Sequence, residues 1–102
     1  MENTDLTTNG IIYKATLISA DTGEFDAESS IKELEELAQT AGVETSFYSI
    51  QKRPSYDSAT CIGSGRLEEI AENVRAMDIN LAIFDCELTA NQTKNIENIL
   101  DI

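Results

Sequence analysis

The sequence predicts a small α/β domain with a mostly parallel sheet of three to four strands, flanked by about three helices. Three observations support this fold class. Apolar residues recur at helical spacing in three segments, strand-forming residues cluster between those segments, and the two kinds of segment alternate. This alternation is typical of βαβ units, whose strands are parallel. The 102 residues are enough for one such domain.

The N-terminal residues differ from the rest of the chain. Residues 1–12 are largely polar and show no periodicity, so we expect a flexible tail there and the folded domain over residues 13–102. The first strand is predicted over Tyr13–Ser19, because this segment alternates loosely and is rich in strand formers. A polar loop over residues 20–27, containing Gly23, follows it.

The first helix is predicted from its two ends and its apolar face. Asp26 or Ser29 is suited to cap its N-terminus, and Ser30 with Glu33 has the spacing of a capping box. Gly42 is expected to end the helix in a left-handed conformation. The residues at helical spacing, expected to face inward, are Ile31, Leu34, Leu37, Ala38 and Ala41.

A second strand, loop and helix follow. The strand is predicted over Val43–Ile50, the loop over residues 51–58, and a further short strand over Ala59–Ile62. After Gly63-Ser64-Gly65, a helix is expected from Leu67. Its inward residues are expected to be Ile70, Ala71, Val74 and Met77.

The last strand and helix complete the pattern. Leu81–Phe84 is continuously apolar, which predicts a central parallel strand covered on both faces. The third helix is expected from about Thr89 to Leu100, with Gln92 at the capping-box position. An α/β unit normally returns a strand after such a helix, so we expect the final strand to be truncated. The resulting open sheet edge should favour self-association.

Composition excludes several classes of protein. Seven basic and 19 acidic residues give a net charge of −12, which repels polyanions at long range. Any RNA contact must therefore be local or be held in place by a neighbouring domain. There is no histidine, and Cys61 and Cys86 form no CxxC pair, which excludes a zinc site and predicts reduced thiols with a packing role. With no signal peptide and no membrane-spanning run, we expect a cytoplasmic protein without a membrane partner.

Two groups of residues are candidates for binding. Gly63, Gly65 and Arg66 at the start of a helix could bind a phosphate, but the tight turn that glycines allow is the favoured interpretation. Lys52, Arg53 and Arg66 carry three of the seven basic residues and could contact RNA, or could be ordinary solvated charges.

Acidic residues offer a weaker candidate. Asp85 and Glu87 follow a predicted parallel strand, where α/β folds place their sites, and could hold Mg²⁺ or exchange protons. No histidine, lysine or serine nucleophile motif completes a catalytic site around them. We therefore interpret them as loop acids near a helix N-terminus and predict no catalytic residue and no metal site.

Two motifs resemble those of one family. Residues 51–67 read QKRPSYDSATCIGSGRL, which is similar to a Gln with basic residues followed by Ala-Thr-Tyr-Ile-Gly-x-Gly-Lys-Leu in the N-terminal domain of HflX-type GTPases. Residues 84–97 read FDCELTANQTKNIE, which resembles that family's Phe-Asp-x-Glu-Leu-Ser-Pro-x-Gln-x-Arg-Asn-Leu-Glu. Similarity extends from about residue 14 to residue 100. The sequence departs from the pattern at Cys61 (aromatic in the family), Arg66 (Lys), Ala90 (Pro) and Lys94 (Arg).

The resemblance implies a noncatalytic domain of a GTP-binding protein that associates with the large ribosomal subunit. It implies contact with ribosomal RNA and with the protein's own GTPase domain, which would hold GTP and Mg²⁺; no cofactor is expected in this chain. Gln92, Lys94 and Asn95 are candidates for an interdomain or partner contact. The alternative is a stand-alone domain that binds a nucleotide or another phosphate ligand at Gly63–Arg66.

Overall fold

A computed structural model of the chain describes residue 10 and residues 12–102. Six elements alternate along it: β1 (Lys14–Asp21), α1 (Ala27–Thr40), β2 (Glu44–Lys52), α2 (Ser64–Ala76), β3 (Leu81–Phe84) and α3 (Ala90–Leu100). The three strands are parallel and lie in the order β2-β1-β3. The predicted α/β class is confirmed. The tail predicted for residues 1–12 falls mostly outside the described residues and stays a prediction.

The central strand is β1, because it pairs with β2 on one side and β3 on the other, and helices cover both of its faces. Ala15 and Leu17 belong to the core that includes residues of α1, whereas Ile18 and Ala20 belong to the core that includes residues of α2 and α3. The prediction that Leu81–Phe84 is central is wrong, since within the described residues β3 pairs only with β1 and its four residues are half-buried. A continuous apolar run indicates that a strand is buried, but it does not indicate the position of that strand in the sheet. Strand order depends on how the crossover helices pack.

The predicted ends of α1 are largely confirmed. The Asp26 carboxylate caps the helix by accepting hydrogen bonds from the backbone N–H of Ser29 at 3.3 Å and from its hydroxyl at 2.9 Å. Gly42 has φ +82°, as a left-handed residue after a helix requires. Ser30 forms no capping box, because its hydroxyl donates to Asp85 instead, at 2.9 Å. Leu37 does not face inward; it is 66% exposed.

The second helix begins earlier than predicted. It starts at Ser64, with Gly63 as its N-cap, three residues before Leu67. Residues 59–62 form no strand and contribute only an isolated antiparallel bridge, Asp57 to Cys61. Met77 lies at the C-cap and is 40% exposed, so its predicted inward position is also wrong. An apolar residue just beyond a helix end has no neighbouring turn to hold it against the core.

The third helix follows its prediction. Thr89 is the N-cap, and its side chain accepts from the backbone N–H of Gln92 at 3.0 Å while the Gln92 side chain accepts from the backbone N–H of Thr89 at 2.9 Å. This reciprocal capping box fixes the start of α3. Ile96 and Leu100 then pack into the same core as α2.

Candidate functional site

The carboxyl ends of the three strands define one edge of the sheet, and the β2–α2 and β3–α3 loops meet there. At this edge the loops after β1 and β2 line an open cleft of about 490 Å³. The cleft residues are Asp21, Thr22, Gly23, Lys52, Arg53 and Pro54. In open parallel sheets, ligands bind at the carboxyl edge, so this is the place to examine for a site.

The β2–α2 loop is organised by Asp57. Its Oδ1 accepts hydrogen bonds from the backbone N–H of Ala59 at 2.8 Å and of Thr60 at 3.0 Å, and from the Thr60 hydroxyl at 3.2 Å. These bonds, led by that from Ala59, hold the pKa of Asp57 below its usual value. Asp57 and Cys61 also exchange two backbone hydrogen bonds of 2.9 Å. Cys61 is thereby held at φ +68°, a conformation that non-glycine residues rarely adopt.

Helix α3 contacts the same loop through two side-chain hydrogen bonds. The side-chain amide of Gln92 donates to the carbonyl of Asp57 at 2.8 Å, and that of Asn95 donates to the carbonyl of Ala59 at 3.0 Å. Gln92 is only 7% exposed. Both side chains were predicted as partner contacts, but these amide N–H groups donate hydrogen bonds within the domain. Lys94 is exposed on the same helix. A contact of these three residues with a partner stays a prediction.

The end of β2 contacts the start of α2 through Gln51 and Arg53. The side-chain carbonyl of Gln51 accepts from the backbone N–H of Gly63 at 2.8 Å. A Cβ atom on Gly63 would lie 3.2 Å from Nη1 of Arg53. Gly63 has φ −59°, a value that any residue can adopt, so its backbone conformation does not require glycine. The predicted tight turn is therefore wrong.

The three predicted basic contacts differ in how free they are. Lys52 is exposed, whereas the Arg53 guanidinium donates to the carbonyl of Ser55 at 3.1 Å and lies 3.7 Å from the Asp57 carboxylate. Arg66 lies 3.8 Å from Glu69, and their side chains are 39% and 76% exposed. All three flank the β2–α2 loop. Lys52 differs from the other two, because no described carboxylate lies within salt-bridge distance of its ammonium group.

The N-terminus of α2 has no side-chain cap, because its N-cap is Gly63. The backbone N–H groups of Ser64, Gly65 and Arg66 belong to the first turn and have no partner within an α-helix. No heavy atom beyond its chain neighbours and helix backbone lies within 4 Å of where a Cβ on Gly65 would stand. This helix end therefore lacks a side-chain cap and is unobstructed at Gly65, which is compatible with binding of a phosphate there.

The two cysteines meet at this edge. Cys61 Sγ lies 3.4 Å from Cys86 Sγ, and both are free thiols. Burial, followed by the hydrogen bond to Cys86, raises the pKa of Cys61 to about 12. Burial also raises the pKa of Cys86. The neighbouring Tyr56 has a raised pKa as well, first from burial and then from the charges of Cys86 and Asp85.

The acidic candidates Asp85 and Glu87 form no cluster with a third ligand. Across residues 12–102, no three Cys, Asp or Glu side chains converge as metal ligands would. Oδ2 of Asp85 accepts the Ser30 hydroxyl, while its buried Oδ1 has no partner. No described helix is both long and apolar enough to cross a bilayer.

Two features of this edge were not predicted. The role of Asp57 could have been inferred from the spacing Asp57-x-Ala59-Thr60, because an aspartate often accepts from backbone N–H groups two and three residues later. The meeting of Cys61 with Cys86 leaves no local signal, because the two residues belong to different loops.

Comparison with known proteins identifies the family. Residues 28–102 match the family described as GTP-binding GTPase N-terminal. The chain is 37% identical over 89 residues to the GTPase HflX of Lacrimispora saccharolytica, which covers 86% of this chain and 21% of that protein. It is 40% identical over 75 residues to the GTPase HflX of Caldanaerobacter subterraneus subsp. tengcongensis, covering 74% and 18% respectively. For the GTPase HflX of Flavobacterium psychrophilum the identity is 36% over 95 residues, covering 89% and 23%.

The chain thus spans about a fifth of the length of these relatives. The matched region contains both motifs by which the sequence resembles the family, residues 51–67 and 84–97. The same two motifs build the edge described above, since they supply Asp57, Cys61 and Gly63 on one loop and Cys86, Thr89 and Gln92 on the other side. Fold, motifs and comparisons agree, and the chain belongs to the GTP-binding GTPase N-terminal family, as the N-terminal domain of an HflX-type GTPase.

Proposed function

We propose that this domain is a noncatalytic, cytoplasmic module of a GTP-binding protein that associates with the large ribosomal subunit. It contacts ribosomal RNA through the β2–α2 edge and regulates the protein's own GTPase domain, where GTP and Mg²⁺ bind. The observation that carries the RNA contact is the position of three of the seven basic residues beside one loop. Exposed Lys52 is the clearest candidate among them.

The charge balance supports a local contact. A net charge of −12 repels a polyanion at distances beyond the Debye length, which is about 8 Å at physiological salt. Within that distance a single exposed lysine can still neutralise a phosphate. Lys52 is the last residue of β2, and the loop that follows it is held in one shape by Asp57, Gln92 and Asn95, so little ordering entropy is lost when this edge binds.

The test compares Lys52→Ala with Arg75→Ala in a full-length protein that carries this domain. Both substitutions remove one exposed positive charge, but Arg75 lies in the last turn of α2, at the other end of that helix. We expect Lys52→Ala to weaken cosedimentation with purified large subunits several-fold at moderate salt. Arg75→Ala should leave it unchanged.

Binding by Lys52→Ala at the wild-type level would remove Lys52 from the RNA contact. Equal weakening would mean that only overall charge matters. Lys94→Ala tests the other predicted surface separately. It should alter GTP hydrolysis by the full-length protein without altering association with the subunit, because Lys94 is exposed on α3 rather than on the β2–α2 loop.

A second function is favoured by the open N-terminus of α2. In this alternative, a stand-alone domain binds a nucleotide or another phosphate ligand at Gly63–Arg66. Ligand binding to the folded state would raise the melting temperature of the 102-residue chain in a panel of nucleotides and inorganic phosphate. Arg66→Ala should abolish that shift. The absence of any shift at millimolar ligand would exclude this alternative.

A further inference from the structure

A pair of thiols joins the two loops at the carboxyl edge, and neither proposed function uses it. Cys61 lies at the end of the β2–α2 loop and Cys86 lies just after β3, with their sulfur atoms 3.4 Å apart. They are 25 positions apart in sequence. This contact places two free thiols from different loops side by side, within reach of a thiol–disulfide exchange.

We propose that Cys61 and Cys86 form a modification site at which a small, uncharged organic disulfide oxidises the two thiols to an intramolecular disulfide. The product links the β2–α2 loop to the β3–α3 loop. It encloses helix α2 and strand β3 within the closed segment.

The geometry requires one modest movement. The sulfur atoms must approach from 3.4 Å to about 2.05 Å. Cys61 is held by its two backbone hydrogen bonds to Asp57, so it is the fixed partner. Cys86 lies in the short connection between β3 and the capping box at Thr89. The required movement therefore falls on that connection.

The surroundings of the two thiols determine which cysteine reacts first and which charge the reagent can carry. Cys86 lines a cleft of about 400 Å³ together with Ser30, Glu33, Asp85 and Glu87, whereas Cys61 is 1% exposed. Cys86 therefore meets the reagent first. Three carboxylates in the cleft repel an anionic disulfide, so an uncharged one is preferred.

The reaction is balanced as two thiol–disulfide exchanges. Cys86 loses its proton, and its sulfur attacks one sulfur of the reagent, which breaks the reagent's S–S bond and releases one small thiolate that takes up a proton. Cys61 then loses its proton and attacks the Cys86 sulfur of the mixed disulfide, releasing the second small thiol. Two protein thiols are oxidised, and one small disulfide is reduced to two thiols.

The product should persist once formed. Thiols with raised pKa values are poor leaving groups, and burial raises the pKa of both cysteines. Closing a loop of this length also restricts the unfolded chain. We expect the melting temperature of the oxidised chain to rise by on the order of 10 °C.

The experiment treats the folded 102-residue chain with 2-hydroxyethyl disulfide at mildly alkaline pH. We expect the intact mass to fall by two hydrogen atoms, with a peptide map that joins Cys61 to Cys86. In Cys61→Ser, Cys86 should instead retain one reagent adduct, because the resolving thiol is gone. In Cys86→Ser, the reaction should slow at least tenfold, since only the buried thiol remains.

Other outcomes would overturn the proposal. These are an unreacted wild-type chain, a stable adduct on Cys86 in the wild type, or a linkage between two copies of the chain. A thermal scan of the wild type in its reduced and oxidised forms keeps the test valid if Cys61→Ser fails to fold. An oxidised chain that melts no higher than the reduced chain would contradict the enclosed link.

Discussion

Asp57 concentrates several hydrogen bonds on one carboxylate, and its charge state should therefore set the stability of the β2–α2 loop. Replacing it with asparagine removes the charge that strengthens the bonds from Ala59 and Thr60. We expect Asp57→Asn to lower the free energy of unfolding by about 1 kcal/mol at neutral pH. Urea denaturation measures this, with Glu68→Gln on the exposed side of α2 as the matched control.

The pH dependence of that difference has a definite sign. The pKa of Asp57 is lowered in the folded chain, mainly by the backbone N–H groups of Ala59 and Thr60. Its contribution to stability is thus present above the pKa of the unfolded chain and is lost as pH falls through the folded value. The difference between wild type and Asp57→Asn should shrink in acid. A difference that stays constant below pH ~4 would refute an ionic origin.

The two glycines before and within α2 should respond to alanine in opposite directions. Gly65 is helical with open space around it, so Gly65→Ala should raise the free energy of unfolding by about 0.5 kcal/mol through helix propensity. Gly63→Ala should lower it, because Gly63 is the N-cap, where alanine is less favourable than glycine, and the new Cβ would also lie 3.2 Å from Nη1 of Arg53. Chemical denaturation of both variants tests this; a destabilising Gly65→Ala would show that the helix start depends on glycine.

At the scale of elements, the sequence predicted those features that depend on residues close together in the chain. The starts of α1 and α3 could be read from Asp26, Thr89 and Gln92, because a cap is formed by residues within one turn. Strand order could not be read in this way. The uncharged run of β1 from Ala15 to Ala20 fits a fully buried strand, but which strand is central depends on how distant helices pack.

The candidate site was predictable to the same degree. The motifs at residues 51–67 and 84–97 indicated which loops contain candidate functional residues, and the structure brings both loops to the carboxyl edge. The hydrogen bonds that Gln92 and Asn95 donate to the β2–α2 loop span 35 and 36 residues. Contacts at that separation leave no local periodicity, so sequence reasoning assigned these side chains outward to a partner.

The edges of the sheet differ in how well they resist pairing. β2 has a register irregularity next to β1, which disfavours regular addition of another strand, whereas β3 is apolar and half-buried throughout. We expect weak self-association through β3, with a Kd on the order of 100 μM to 1 mM. Sedimentation over a concentration series would detect it, and hydrogen exchange at residues 81–84 should slow as concentration rises.

A matched variant separates this edge from an exposed apolar position elsewhere on the surface. Leu37 on α1 is 66% exposed and offers a different contact. Leu37→Glu should leave association unchanged if β3 is responsible. A monomer at all concentrations, or loss of association in Leu37→Glu, would count against pairing through β3.

At the scale of the whole molecule, repulsion among like charges should outweigh the few ion pairs. The two ion pairs within residues 12–102 have distances of 3.7 and 3.8 Å and exposed or half-exposed side chains, so each contributes little. The net charge is −12, and the described chain measures 44 × 27 × 24 Å. The Debye length is about 30 Å at 0.01 M salt and about 3 Å at 1 M. At low salt it therefore exceeds the width of the domain, and most acidic residues repel one another.

Because the Debye length at low salt exceeds the width of the domain, we expect added salt to stabilise it. The melting temperature should rise by a few degrees between about 0.01 and 0.5 M sodium chloride, as screening removes the repulsion. Chloride is the suitable salt, because sulfate would add stabilisation by its exclusion from the surface. A double variant with Glu35→Gln and Glu36→Gln, both exposed on α1, should show a smaller rise. A melting temperature that falls with salt would mean that attractive pairs such as Arg53 with Asp57 govern the electrostatics instead.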